Sequence, residues 1–184
     1  MIMKAMDKLL SIFLISICIG SVSAQDISIE RINTIDPNER YETYAFLQED
    51  YQTNWIALFP MENIMIKEAI QHEFDTRNMK WSDDPDVFFQ YHIFDESYTN
   101  QDYVGNGPYD YTYPKKEDLM DKIESGTVIL SAVDSESGES IWEGFAYNLY
   151  KEEMTLGDKQ VALRKAADEL VARFVADKNG LATQ

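Results

Sequence analysis

The chain has one cysteine, Cys18, in 184 residues. A single thiol rules out an intramolecular disulfide and any metal or redox site built from several cysteines. Histidine is nearly as scarce, with His72 and His92 alone, so a zinc site would lack half its usual ligands. Basic residues are outnumbered: 16 Lys and Arg stand against 33 Asp and Glu, a net charge of −17. That field repels phosphates, so no nucleic-acid partner is expected. There is no Gly-x-Ser-x-Gly elbow and no Asp-x-Asp-x-Asp-Gly calcium loop, and Gly105-Asn106-Gly107 is not followed by the Lys-Ser/Thr of a phosphate loop. No cofactor is expected.

What is present begins with an address. Lys4 and Lys8 precede an apolar run from Leu9 to Ile19, too short to span a bilayer but suited to a secretory leader. Small residues follow, and Val22 and Ala24 fit the −3 and −1 positions of a signal-peptidase site. The expectation is a signal peptide over 1–24, cleaved after Ala24, and an exported chain in the periplasm or at the outer-membrane periphery. A lipid anchor at Cys18 is the rival reading, and bulky Ile17 beside it argues against a lipobox. The mature chain, 25–184, has the length of one domain, with 45% apolar and 12% aromatic residues in the whole sequence to supply a core. No transmembrane segment is expected in it.

Along that domain, Ile27, Ile29 and Ile32 mark a first strand, and Tyr41 to Leu47 a second after the turn Asp36-Pro37-Asn38. Residues 48–58, around Trp55, read as a loop. Pro60 suits a helix start, and Ile66, Ala69, Ile70, Glu73, Phe74 and Arg77 recur at helical spacing. Asn78 is placed for a left-handed exit, with Met79 as the apolar residue beyond it. Val87 to Phe94 predicts a strand with one apolar row (Val87, Phe89, Tyr91, Ile93) turned to the helices and one mixed row (Phe88, Gln90, His92, Phe94). Gly126–Val133 and Ile141–Tyr150 predict a hairpin around Ser137-Gly138. Gly144 and Ala146, on the face of Trp142, would let a helix backbone approach. A last helix is expected from an N-cap at Asp158, with the stripe Leu163, Ala166, Ala167, Leu170 and Phe174, ending at Asp177-Lys178-Asn179-Gly180 before a frayed tail.

The order of these pieces resembles the DUF4136 family of bacterial envelope proteins, whose members are often lipoproteins. The resemblance is carried by Tyr41-Glu42-Thr43-Tyr44-Ala45-Phe46, Ile66-x-x-Ala69-Ile70-x-x-Glu73-Phe74, Pro85 to His92, Gly126 to Leu130, Val133-Asp134-x-x-x-Gly138-x-x-Ile141-Trp142-x-Gly144, and the last helix through Phe174. It covers about 27–176. It implies a single α+β domain: a mixed, mostly antiparallel sheet of four or five strands with two helices on one face, in the order ββαβββα. It implies no catalytic residues.

Two features could carry function. Residues 95–125 lack regular pattern and exceed the usual length of a structureless loop. They hold Tyr98, Tyr103, Tyr109, Tyr111 and Tyr113, five of eleven tyrosines, among Asn, Asp and Gly. That mix suits recognition of an envelope protein or glycan, or equally the covering of an open sheet face. His92 lies on the mixed strand face and is the candidate base for an alternative hydrolase reading with carboxylates, whereas His72 reads as a solvated helix residue. Asp83-Asp84-x-Asp86 and Asp134-x-Glu136 read as turn residues rather than calcium ligands. The function these features support best is a non-enzymatic binding or assembly module. A third possibility is a self-associating structural protein pairing at its edge strands, which the negative charge opposes.

Overall fold

A computed structural model describes residues 27–36, 38–47, 60–94, 126–150 and 154–181. The expected signal peptide 1–24, the expected loop around Trp55 and the tyrosines from Tyr98 to Tyr113 lie outside the described residues. Among the described residues six strands form one sheet: β1 (Ser28–Asn33), β2 (Thr43–Phe46), β3 (Lys80–Trp81), β4 (Val87–Phe94), β5 (Thr127–Asp134) and β6 (Ser140–Tyr147). The described residues also form two helices, α1 (Pro60–Thr76) between β2 and β3, and α2 (Leu156–Lys178) after β6. The order across the sheet is β1-β6-β5-β4-β2-β3. Its β1, β6, β5 and β4 neighbours are antiparallel, while β2 lies parallel to both β4 and β3.

The fold is therefore α+β as expected, with one strand more than the four or five expected. The extra strand, β3, is only two residues long, and it forms because Lys80 and Ser82 donate to the Glu42 and Tyr44 carbonyls of the β2 segment at 3.0 and 2.9 Å. No periodicity can show in two residues, so pairing alone creates this element.

α1 ends as Asn78 adopts φ 63, and the Met79 N–H returns to the Phe74 carbonyl at 3.0 Å, which seats Met79 in the core. α2 begins three residues earlier than expected. Its N-cap is Thr155, and Asp158 is the third helical residue, whose carboxylate reaches back to the Thr155 N–H while the Thr155 hydroxyl accepts from the Asp158 N–H. This capping box satisfies two donors that a lone Asp N-cap could not. Its C-terminal end falls where expected: Lys178 is the last helical residue, Asn179 and Gly180 (φ 66) carry the exit, and Asp177 is buried in the last turn.

The two helices cover one sheet face. Val87, Phe89, Tyr91 and Ile93 of β4 all turn towards them, as the alternation requires, and join Ile66, Ile70, Phe74, Leu163, Leu170 and Phe174 in one core. Phe74, Phe89 and Phe174 meet ring to ring at 4.4 to 6.3 Å, and each buried ring contributes about 1.5–3 kcal/mol. Gly144 does permit a close approach, but by side chains. A Cβ there would lie 2.3 Å from the Trp142 ring and 2.7 Å from Leu170 Cδ2, so it is the indole that fills the space, and no helix backbone atom is among the nearest neighbours.

The chain directions divide the domain into two ends. At one end lie the N-termini of both helices, the exits of β2, β4 and β6, and the entry to β1 at Ser28, which opposes Tyr147. Glu62 and Lys159 join the first turns of α1 and α2 there, and Lys159 also lies 4.9 Å above the Tyr150 ring. At the other end are the short β5–β6 turn, the entries to β2 and β4 and the C-terminus of α2. No helix among the described residues is long and apolar enough to cross a membrane.

Candidate functional site

The second sheet face, away from the helices, holds the side chains the core does not use. Strand register places them in rows. Gln90, Ser131, Glu143 and Ile32 follow one another across β4, β5, β6 and β1, and His92, Ile129, Phe145 and Glu30 form the next row. Phe94, Ile129, Phe145 and Tyr147 form a second, smaller apolar cluster, in which the Phe145 and Tyr147 rings stack at 6.2 Å. In the adjacent row the Glu143 carboxylate is buried and accepts from the Ser131 hydroxyl at 3.1 Å.

His92 stands at the edge of this cluster, half-buried. Desolvation pulls its pKa down to about 4, so the imidazole is neutral at neutral pH. The Tyr147 hydroxyl is pushed up to about 12 by burial and then by the nearby Glu30 charge, and remains protonated. The face thus presents neutral hydroxyl, amide and imidazole groups and aromatic rings around one buried acid. These groups suit hydrogen bonding and stacking more than proton transfer.

The root of the tyrosine-rich segment adjoins this face. β4 ends at Phe94 and β5 starts at Thr127, and the Gly126 N–H donates to the Phe94 carbonyl at 2.6 Å. Two neighbouring antiparallel strands, which a turn of two residues could join, are therefore joined by the 32 residues 95–126. Gly126 has φ 78, and a Cβ on it would meet the Tyr150 backbone nitrogen at 2.6 Å, so this position needs glycine twice over. Of the residues singled out from sequence, His92 lies on this face, and Tyr98, Tyr103, Tyr109, Tyr111 and Tyr113 lie outside the described residues. His72 is exposed on α1.

The acidic turns hold local structure. Burial alone would raise the Asp86 carboxyl, but the Thr43 and Glu42 N–H groups, both at 2.8 Å, outweigh it and hold its pKa below the usual value. Asp134 is likewise lowered against its burial, mainly by the Ser137 hydroxyl and N–H at 2.7 and 2.6 Å. Among the described residues no group of three or more His, Cys, Asp or Glu is placed to hold a metal ion.

Sequence reasoning missed one constellation. Asp177, buried near the end of α2, accepts from Trp142 Nε1 at 2.8 Å and pairs with Arg31 Nε at 2.7 Å. Its only sequence signal is an acidic residue in register with the apolar stripe, three residues after Phe174.

A mixed six-stranded sheet with a helix pair on one face defines an α+β module with a long insertion at one hairpin. The profile of the family described as "Domain of unknown function (DUF4136)" matches residues 33–174, and the chain belongs to that family. No curated protein matches significantly. Among solved structures, a PDZ domain protein from Parabacteroides distasonis ATCC 8503 shares the fold at TM-score 0.52 and 17% identity, over 80% of this chain. The match spans 35% of that protein, about a third of its length. A PelC dodecamer from Paraburkholderia phytofirmans aligns over 86% of this chain and 99% of its own at 7% identity, with a TM-score of only 0.35.

Proposed function

We propose that the chain is an exported envelope protein, its leader 1–24 removed, whose domain 25–184 works as a non-enzymatic binding or assembly module in the periplasm or at the outer-membrane periphery. The binding element is the tyrosine-rich connection 98–113, acting with the second sheet face beside His92, and the partner is an envelope protein or glycan. One observation carries this reading: a 32-residue connection closed at its root by the Gly126–Phe94 hydrogen bond, where the strand geometry asks for a short turn. A long insertion held on a rigid sheet is the usual arrangement of a recognition loop.

The hydrolase alternative is weakened by the same face. An imidazole with a pKa of about 4 is a poor proton acceptor near neutral pH, where a general base works best with a pKa close to the working value.

The test changes Tyr109, Tyr111 and Tyr113 together to Ser. The expected variant melts within a few degrees of the parent but no longer retains the envelope component that the parent captures from detergent-solubilised envelope or from purified peptidoglycan. A large fall in melting temperature would instead make these rings part of the core cover and end the recognition reading.

A further inference from the structure

Of the six large apolar side chains exposed among the described residues, Met61, Ile64, Leu156 and Val161 lie at one end of the domain, and Trp81 and Leu181 lie at the other. Met61 and Ile64 in the first turns of α1 are 49% and 51% exposed, and Val161 in the second turn of α2 is 63% exposed. All three sit away from the buried stripes of their helices, and the Glu62–Lys159 pair holds the two first turns together between them. Farther along both helices the outward positions turn polar: Gln71, His72 and Asp75 on α1, Arg164 and Asp168 on α2. Along the two helices, exposed large apolar side chains are thus found only at the end where β1 begins.

That end is also where the leader attaches. Ile27 packs on the main core just before Ser28, and the apolar run Leu9–Ile19 is separated from it by residues 20–26. Seven extended residues reach at most about 25 Å. A leader embedded in a bilayer therefore holds this end, rather than the end with the β5–β6 turn, within that distance of the lipid.

We infer that, while the leader is attached, Met61, Ile64 and Val161 rest on the lipid surface and orient the domain on the membrane. The inference depends on the export reading, because it needs the leader in a bilayer. The surface has to be one of low charge, since the chain's own −17 repels anionic lipid. Apolar side chains on a helix end provide weak contact alone and become effective when a second anchor supplies proximity.

The experiment uses the full chain with Cys18→Ser and a single environment-sensitive fluorophore on a cysteine placed by Ile64→Cys, or by His72→Cys farther along the same helix. The probe is vesicles of phosphatidylcholine and phosphatidylethanolamine carrying a fraction of spin-labelled lipid. The expected result is binding through the leader, with quenching and a blue shift at position 64 and neither at position 72. In the unlabelled full chain, Met61→Ser, Ile64→Ser and Val161→Ser together should lower vesicle partitioning roughly tenfold without moving the melting temperature. A bound chain whose positions 64 and 72 respond alike overturns this inference and leaves the export reading intact. A chain that ignores vesicles altogether overturns both. A blue shift at 64 that grows with protein concentration in the absence of lipid assigns the patch to a second copy of the chain and overturns the lipid contact.

Discussion

The indole N–H of Trp142 donates to Asp177 Oδ2 at 2.8 Å, joining the start of β6 to the last turn of α2 across 35 residues of sequence. The same carboxylate oxygen takes Arg31 Nε, so one buried acid ties β1, β6 and α2 together. Asp177→Ala should leave the indole N–H and the partly buried guanidinium without their acceptor, at a cost of about 2–4 kcal/mol in urea unfolding. Asp177→Asn keeps an acceptor for Trp142 and loses only the charge, so it should cost less than half as much. Equal losses in the two variants would mean that the ion pair with Arg31, not the indole bond, carries the effect.

Gly144→Ala tests the packing above that node. The new methyl would sit 2.3 Å from Trp142 Cη2 and 2.7 Å from Leu170 Cδ2, both in the closed core. The expected loss is at least about 2 kcal/mol, seen in the melting temperature together with a change in Trp142 fluorescence. A neutral effect would show that the indole can move, contrary to the packing described.

The start of α2 is a local matter. Thr155→Ala removes the hydroxyl that accepts from the Asp158 N–H, and should cost about 1 kcal/mol. Asp158→Ala removes the other half of the box and should cost a comparable amount. Because the two act on one device, the double variant should cost less than the two losses added together.

Acid should unfold the protein in two stages. His92 has a folded pKa of about 4, below the unfolded value near 6.5, so the unfolded chain binds the extra proton between them. Stability from this group is complete above about pH 6.5 and falls as pH drops towards 4. Asp86 and Asp134 are lowered in the folded state, so their contribution is lost only as pH falls through the carboxylate range. His92→Gln should flatten the denaturation midpoint between pH 6.5 and 4 and leave the later, carboxylate stage in place. A midpoint that still falls through the upper window would assign that stage to another group.

Much of the architecture could be read in advance because it rests on periodicity. The alternation in Val87–Phe94 set both the strand and its helix-facing row, and the spacing from Ile66 to Phe74 set the buried stripe of α1. Asn78 announced its left-handed exit by residue type. The misses share a different cause. β3 exists only as a partner for β2. The N-cap of α2 fell to Thr155 because two acceptors in a reciprocal box outcompete one. Asp177 read only as part of a helix end, because an acid in a stripe gives no sign of the indole that will meet it.

The same division holds for the site. Local sequence alone singled out the tyrosine-rich segment, the unequal faces of β4 and the expected leader, since each is read from neighbouring residues along the chain. Tertiary structure alone decided that His92 shares a face with Glu143 and Ser131, that Arg31 meets Asp177, and that Met61, Ile64 and Val161 stand at the end where β1 begins. Local pattern prescribes which way a side chain points from its own strand or helix. Which partner it finds depends on strand order and register, and these are settled by packing the whole core at once.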